Sequence, residues 1–265
     1  MLAEFLPPHS DFSAIRTAFL RDGALILRGF ADAQRLAAIR AAAMAELARR
    51  VPPFELEAEL GYPGAPQQAG EGAATIRRLR NMAARDPVFA DWAGDARLLM
   101  LVGRLLGARD ITLTQAHHNS LMTKQPSFSS DTRWHRDLRY WRFSRPELVS
   151  AWLALGEEYP DNGALGFIPG SHQTELPDEA FDALEFLIPD HPLAAPLVAR
   201  AEFPALNPGD VVLFDARTFH AASRNRTTQT KYSLVFSYHA SDNLPLSGSR
   251  SASQPGVAYR LPDQG

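Results

Sequence analysis

The chain has 265 residues, 45% hydrophobic and 22% charged, which is enough to bury a core of ordinary size, and its net charge of −3 gives no general electrostatic reason to bind nucleic acid or a membrane surface. The absence of cysteine excludes disulfides, thiolate metal sites and a cysteine nucleophile. The sequence contains neither a bilayer-spanning apolar run of roughly 18 residues nor the basic and apolar regions of a signal peptide. We therefore expect a cytoplasmic protein whose partner is a small molecule rather than nucleic acid or a membrane, with its oligomeric state left open.

The first part of the chain, about residues 1–110, is predicted to be mainly helical. A short apolar run at 24–30 suits a strand. Asp32 is a favourable N-cap for the helix expected to follow, which is rich in alanine, leucine and arginine and extends to Arg50.

A long irregular loop is predicted at 51–75, where proline, glycine and glutamine are frequent. Loops of this length are often functional, and we expect this one to cover a bound substrate. Beyond it, Asp86 and Pro87 begin a second helical stretch, for which Gly107 is the expected C-cap.

The remainder of the chain has the pattern of a β protein. Short apolar or alternating segments are separated by Pro, Gly, Asn and Asp, which favours a sandwich or a barrel. Strands are predicted near 111–123, 133–138, 148–157, 164–168, 197–203, 210–216 and 230–239. The apolar pattern at 178–188 predicts a helix inserted between two of these strands.

No internal repeat, low-complexity tract or linker divides the sequence. We therefore expect a single domain over residues 1–265, with a helical part to about 110, a β core at about 111–240 and a C-terminal tail at 241–265. The predicted fold class is mainly β with helices (α+β).

A candidate metal site is contained in the segment Trp134-His135-Arg136-Asp137. On a strand, residues i and i+2 point to the same face, so His135 and Asp137 can approach one ion together. His220, which follows the strand-like run at 210–214, is the candidate third ligand. Two imidazoles and one carboxylate leave three positions open for a keto acid and O₂, as in non-haem Fe(II) oxygenases, although zinc can use the same ligands.

Five runs in the second half of the chain are informative as a set. They are WHRDLRYW (134–141), VSAWLALGEE (149–158), NGALGFIPGSH (162–172), NPGDVVLFDARTFHAASRNRT (207–227) and KYSLVFSYH (231–239). With this order and spacing, the stretch from Trp134 to Tyr238 resembles the phytanoyl-CoA dioxygenase family, which includes ectoine hydroxylase. The resemblance implies a double-stranded β-helix core, of the jelly-roll or cupin-like type, with N-terminal helices packed on it. It also implies that His135, Asp137 and His220 bind Fe(II).

The resemblance further implies an anchor for the distal carboxylate of 2-oxoglutarate. The family usually places an arginine eleven positions after the second iron-binding histidine, and here that position is Lys231. Lysine offers one compact charge where arginine offers a planar fork. Arg226 is the competing anchor, but we favour Lys231, since Lys231, Ser233 and Val235 should share the strand face that looks into the barrel.

Further co-substrate contacts are expected from the same resemblance at Trp152, Ser120 and Lys124. One of Arg77, Arg78 and Arg80 matches a basic residue that reaches the co-substrate from the N-terminal region. Taken without the resemblance, Trp152 would be a core aromatic and Lys124 a solvated surface charge.

Candidate substrate contacts lie close to the iron ligands. Five arginines recur at every third position from 133 to 145; most would be solvated, but Arg139 can point at an anionic substrate group, with Tyr140 beside it. His117 and His118 precede Lys124, and by alternation one of them, with His118 the candidate, should face the pocket without acting as a fourth ligand.

These features together predict a dioxygenase that uses Fe(II), 2-oxoglutarate and O₂ to hydroxylate or otherwise oxidise a small organic molecule, with release of succinate and CO₂. Related halogenases lack the carboxylate that Asp137 provides here, so hydroxylation is the expected outcome. Two alternatives remain open: a zinc-dependent hydrolase on the same fold, and a catalytically inactive cupin-like binding or sensor protein, which the lysine at position 231 would favour.

Overall fold

The computed structural model describes residues 1–262. The helices within these residues are α1 (Phe12–Asp22), α2 (Ala33–Arg49), α3 (Pro87–Ala93), α4 (Ala96–Leu106) and α5 (Ala195–Val198). The strands are β1 (Ala3–Phe5), β2 (Ala24–Leu27), β3 (Phe54–Leu56), β4 (Ile76–Arg80), β5 (Asp110–Leu113), β6 (Asn119–Lys124), β7 (Thr132–His135), β8 (Val149–Ala154), β9 (Leu165–Phe167), β10 (Val211–Asp215), β11 (His220–Ala222), β12 (Lys231–Ala240) and β13 (Val257–Arg260).

Two sheets make up the β core. The larger has ten strands, with the order β1-β2-β10-β8-β12-β6-β4-β3, and β5 joins it by pairing with the second half of β12 and with β13. The smaller has the order β7-β11-β9. The two sheets enclose a shared apolar layer to form the double-stranded β-helix, so the predicted fold class, mainly β with helices, is confirmed.

Alternation along the central strands divides the apolar side chains between two layers. Leu153 on β8 and Leu234 on β12 are directly opposite each other and belong to the layer that packs against the N-terminal helices. Their neighbours Trp152 and Val235, also paired, belong to the layer between the sheets. The large sheet is therefore covered on both faces, and the residues of β8 and β12 are buried almost throughout.

The predicted helix ends are largely confirmed. Asp32 caps α2 by accepting a hydrogen bond from the backbone N–H of Arg35, and Gly107 ends α4 in the left-handed conformation. The stretch that begins at Pro87 is two helices rather than one, because the Asp95 carboxylate caps a new helix at its own position.

The helix predicted at 178–188 is wrong. One short turn, Asp178–Ala180, is followed by a tight loop in which Phe181 pairs with Leu187. The Asp182 carboxylate accepts backbone N–H bonds within this loop, at Leu184 and Phe186, and so competes with helix formation.

Two predicted strands also differ from the structure. The segment 197–203 begins inside the short helix α5 and pairs with β9 only at Glu202. The strand predicted at 111–123 is interrupted, because β5 ends at Leu113 and β6 begins at Asn119.

The two ends of the chain contribute strands as well as helices. The N-terminal part supplies β1 to β4 to the large sheet, so it is less purely helical than predicted. The loop predicted at 51–75 includes the short strand β3, and the tail contains β13, although its last three residues, 263–265, lie outside the described part. None of the described helices has both the length and the hydrophobicity to span a bilayer.

Candidate active site

The three predicted metal ligands converge on the small sheet. His135 is the last residue of β7 and His220 the first of β11, and the two are directly opposite each other in the antiparallel pair. The strand predicted at 133–138 ends at His135, but Arg136 is still extended, so Asp137 keeps the orientation expected two residues later. A backbone hydrogen bond of 3.0 Å from the Asp137 N–H to the Ala216 carbonyl holds the carboxylate in place.

The geometry of this triad suits a single ion. The candidate ligand atoms of His135, Asp137 and His220 all lie within 4.8 Å of one another, and all three residues are buried. The His220 Nε2 is 3.8 Å from the Asp137 Oδ1, and the two imidazole centroids are 4.2 Å apart. These separations allow all three groups to bind one face of a metal ion.

Both imidazoles are oriented through their Nδ1 atoms. The His135 Nδ1 lies 2.8 Å from the Arg133 carbonyl, and the His220 Nδ1 lies 3.0 Å from the Thr218 carbonyl. A carbonyl can only accept, so Nδ1 carries the hydrogen in both rings. Nε2 is therefore left with a free lone pair, which is the arrangement that a metal-binding histidine needs.

The electrostatics of the triad also fit a cation. Burial lowers the pKa of His220 to about 4 and holds the pKa of His135 well below its usual value, so both rings are neutral at physiological pH. Burial raises the pKa of the Asp137 carboxyl well above its usual value, and its Oδ2 has no hydrogen-bond partner among the described residues. A divalent ion would satisfy this orphaned oxygen and balance its charge.

The triad opens into a cavity between the sheets. Of the residues predicted to bind co-substrate or substrate, Lys231, Trp152, Lys124, Tyr140 and His118 line it. The cavity therefore brings together residues from β6, β8 and β12 of the large sheet with the triad on the small sheet.

Lys231 belongs to a buried polar network that the sequence did not reveal. Its Nζ donates to the Glu158 Oε2 and to the Ser233 Oγ, both at 3.2 Å. The Glu158 carboxylate also accepts from the Ser233 hydroxyl at 2.6 Å and from the Trp152 indole N–H at 3.0 Å. An ammonium group has three donors, so one remains for a ligand in the cavity.

Lys124 lies directly opposite Lys231 on the neighbouring strand β6, and these are the only two lysines of the chain. Both are buried. The Lys124 Nζ donates to the Ser130 carbonyl. Burial, followed by the charge of Arg77, lowers the pKa of Lys124 to about 7, so its ammonium group titrates near neutrality.

Three of the predicted residues lie outside the cavity lining. Arg226 is exposed on the loop before β12. Ser120 is fully buried on β6, and its hydroxyl has no partner among the described residues. Arg139 stacks its guanidinium group on Phe186 at 3.7 Å and on Tyr140 at 4.4 Å from the ring centroids.

His118 and Tyr140 both lie close to the triad. His118 lies in the break between β5 and β6, with its Nε2 3.6 Å from the Asp137 Oδ1, which is too long for a hydrogen bond. The Tyr140 hydroxyl is 3.0 Å from that of Tyr62. Burial, followed by this contact with Tyr62, raises the pKa of Tyr140, so its phenol is a hydrogen-bonding group rather than an anion.

Sequence reasoning missed Glu158 and Tyr62, which both contribute to the site. Glu158 is brought inward by backbone pairing with Leu206, a contact across 48 residues that no local pattern predicts. Tyr62 is an aromatic residue in a segment rich in proline and glycine, and that contrast was a usable signal.

Comparison with known proteins agrees with this geometry. The sequence profile of the phytanoyl-CoA dioxygenase (PhyH) family matches residues 19–233. The ectoine dioxygenase of Sphingopyxis alaskensis is 31% identical over 243 residues, which cover 85% of this chain and 75% of that protein. The crystal structure of EctD from the same organism with bound Fe has a TM-score of 0.74 at 27% identity, covering 96% of this chain and 85% of that one. The structure with 2-oxoglutarate and 5-hydroxyectoine has a TM-score of 0.72 at 26% identity, covering 98% and 88%. The chain therefore belongs to the phytanoyl-CoA dioxygenase family.

Proposed function

We propose that this chain, an Fe(II)- and 2-oxoglutarate-dependent dioxygenase, hydroxylates a small organic molecule and that His135, Asp137 and His220 hold the iron. The observation that carries the proposal is the convergence of these three ligand atoms within 4.8 Å of one another in a cavity that also contains two buried lysines. The relative from Sphingopyxis alaskensis, whose structures contain Fe and 2-oxoglutarate, supports the same cofactors here.

The protein's own contribution to the reaction is to hold the metal ion and to orient the reactants around it. Bound iron supplies the activation of O₂ and the oxidative decarboxylation of 2-oxoglutarate to succinate and CO₂. Three protein ligands would leave positions on a bound ion for the keto acid and for O₂. The Arg133 and Thr218 carbonyls orient both imidazoles so that each Nε2 faces the place that the ion would take.

Lys231, rather than Arg226, is our proposed anchor for the distal carboxylate of 2-oxoglutarate. Its ammonium group is buried in the cavity and retains one donor beyond those used by Glu158 and Ser233. Lys124 lies opposite and would add a second positive charge. Arg226 is exposed on its loop, so the same role would require that loop to rearrange.

The segment 57–75 is proposed to cover the bound substrate. Tyr62 lines the cavity and its hydroxyl contacts that of Tyr140, which lies three residues after Asp137. The buried Glu57 holds the start of the segment by accepting from the Ser130 hydroxyl at 2.5 Å. A closed segment keeps water from the reacting atoms and so favours productive oxidation of the substrate.

Anaerobic titration with Fe(II) and 2-oxoglutarate tests this assignment. We expect a weak metal-to-ligand charge-transfer absorption band, followed by succinate formation when O₂ is admitted. The band should be lost in His220→Ala and weakened in Lys231→Met, whereas Arg226→Gln should behave like the unmodified protein.

The two alternatives predict other results. An inactive binding or sensor protein would form no succinate under any condition. A hydrolase would be purified with zinc and would leave 2-oxoglutarate unconsumed. Equal loss of the band in Arg226→Gln and Lys231→Met would remove the support for Lys231 as the anchor.

A further inference from the structure

Arg78 and Arg250 line one side of the cavity, and Arg80 lies outside the lining, two residues after Arg78 on β4; we define these three residues as the arginine group. The Arg78 Nε and Nη2 atoms each donate to Glu55 at 2.6 Å, which is a two-pronged ion pair. The Arg80 Nη1 is 3.9 Å from the same carboxylate. A single carboxylate therefore faces three guanidinium groups, and the group retains excess positive charge.

Arg250 contributes most clearly to this excess. It lines the cavity yet remains exposed, which places it at the cavity mouth. No carboxylate lies within ion-pair distance of it in the part of the chain that the structure describes. The adjoining Ser251 fixes this segment, since its hydroxyl is 2.7 Å from the His117 Nε2 and accepts the Arg142 N–H at 2.8 Å.

The pKa values of Arg250 and Glu55 reflect the same excess of positive charge. Burial, followed by the charges of Arg78 and Arg80, lowers the pKa of Arg250. Although burial opposes it, the hydrogen bonds and charge of Arg78, with the charges of Arg77 and Arg80, hold the pKa of Glu55 below its usual value. A second anion at the group would therefore meet favourable charge that Glu55 alone does not neutralise.

The arginine group is separate from the lysines proposed to hold the co-substrate. On the β4–β6 pair, Arg78 is opposite Met122 and Arg80 is opposite Ser120. These partners lie two and four residues along β6 from Lys124, which corresponds to roughly 7 and 13 Å at the rise of a strand. Of the three arginines that the resemblance offers for the co-substrate, Arg77 lines the cavity and its charge acts on Lys124. A 2-oxoglutarate molecule anchored at Lys231 and Lys124 beside Arg77 would leave the arginine group available.

We propose that Arg78 and Arg250, supported by Arg80, bind an anionic group of the primary substrate, so that the enzyme oxidises an acidic small molecule. The recognised chemistry is a carboxylate or a phosphorus oxyanion, because a guanidinium fork matches both. This inference rests on the proposed function, since it assigns the second ligand of the same cavity.

The proposal can be tested by anion binding without knowledge of the substrate. The protein is loaded with Fe(II) and saturating 2-oxoglutarate and is kept anaerobic. The probes are acetate and methylphosphonate, compared with neutral acetamide and with chloride at equal ionic strength. We expect at least one anionic probe to raise the melting temperature above both controls. The more effective probe distinguishes a carboxylate from a phosphorus oxyanion.

The matched variants are Arg250→Gln and Arg40→Gln, the latter an exposed arginine on α2 outside the cavity. Arg250→Gln should weaken binding of the effective probe about tenfold, as expected for loss of a charge-assisted contact, whereas Arg40→Gln should not. Equal stabilisation by chloride, or an undiminished response in Arg250→Gln, would overturn the inference.

Succinate formation in the same preparations separates the two proposals. If succinate forms but no probe binds, the acidic-substrate inference falls while the oxygenase assignment stands. If probes bind but no succinate forms under any condition, the proposed function falls, and the anion can no longer be assigned to a substrate. A substrate found by succinate release that carries no acidic group would also overturn the inference.

Discussion

Lys231 stands where the family resemblance led us to expect arginine, and the side chains around it account for the difference. An arginine fork is oriented by its own planar geometry, whereas a lysine ammonium on a flexible stem is not. Here the Glu158 carboxylate and the Ser233 hydroxyl orient the Lys231 ammonium group by accepting its hydrogen bonds. The Trp152 indole N–H in turn donates to Glu158. The lysine therefore does not by itself argue for an inactive protein.

Glu158→Gln should weaken 2-oxoglutarate binding about tenfold while leaving Fe(II) binding unchanged. The substitution leaves the Lys231 ammonium buried opposite Lys124 without a counter-charge, and breaking a buried pair in this way is costly. Titration of the charge-transfer band measures the effect. The exposed neighbour Glu157→Gln is the matched control, and tighter rather than weaker binding in Glu158→Gln would show that Glu158 competes with the co-substrate.

If Lys124 contacts 2-oxoglutarate as proposed, we expect the binding of 2-oxoglutarate to depend on pH near neutrality. Burial and the charges of Arg77 and Lys231 lower its pKa to about 7, against the opposing charges of Glu57 and Asp131. The ammonium form is favoured below this pH and is the form that attracts a carboxylate, so affinity should rise as pH falls from about 8 to about 6.

Because the chain has only two lysines, ¹³C NMR of lysine-labelled protein can follow this titration directly. The resonance that disappears in Lys124→Met should shift with a midpoint near pH 7, and that variant should lose the pH dependence of binding. A midpoint near the usual lysine value would contradict the expectation.

At the scale of elements, β7 and the turn after it show how far a local pattern can extend beyond a strand. The strand ends at His135, yet the extended Arg136 preserves the alternation for one further residue. The ligand pair was therefore predictable although the strand boundary was not, because orientation depends on backbone dihedral angles and not on ladder hydrogen bonds.

The segment 57–75 should open more readily when the contact between Tyr62 and Tyr140 is lost. A neutral hydrogen bond contributes on the order of 1 kcal/mol, so Tyr62→Phe should speed hydrogen exchange of the backbone amides in this segment about fivefold. Hydrogen exchange followed by mass spectrometry measures the change. Tyr159→Phe, at an exposed position, is the control, and unchanged exchange in Tyr62→Phe would mean that other contacts hold the segment closed.

For the whole molecule, one hydrophobic layer joins the N-terminal helices to the large sheet. Side chains from α1, α2 and α4, among them Phe19, Ile39 and Val102, belong to the same cluster as Leu153 and Leu234 of the central strands. The N-terminal part therefore cannot separate without exposing the sheet, which supports the prediction of a single domain.

We expect the chain to unfold in a single transition when followed by both tryptophan fluorescence and far-ultraviolet circular dichroism. Fe(II) at about 100 times its dissociation constant should add about 2.7 kcal/mol and raise the melting temperature by about 5–10 °C. A chelator should reverse the shift, and His220→Ala should show none. Two separate transitions would argue against a single domain.

The sequence alone predicted the triad, the β character of the core and the ends of the main helices. These features follow from short-range rules, since an i, i+2 spacing or a capping carboxylate acts within a few residues of its own position. The five runs added the fold and the cofactors, because their order constrains how distant strands are arranged.

Only the tertiary structure decided which side chains meet at the cavity. Glu158 contacts Lys231, and Tyr62 contacts Tyr140, although the members of each pair are far apart in the chain. Arg250 likewise reaches the cavity from the C-terminal tail. The helix predicted at 178–188 failed for a related reason, since Ala180, Phe181 and Leu187 pack against side chains of the small sheet rather than along one helix face. Contacts between residues distant in the sequence depend on the whole fold, and no local periodicity encodes them.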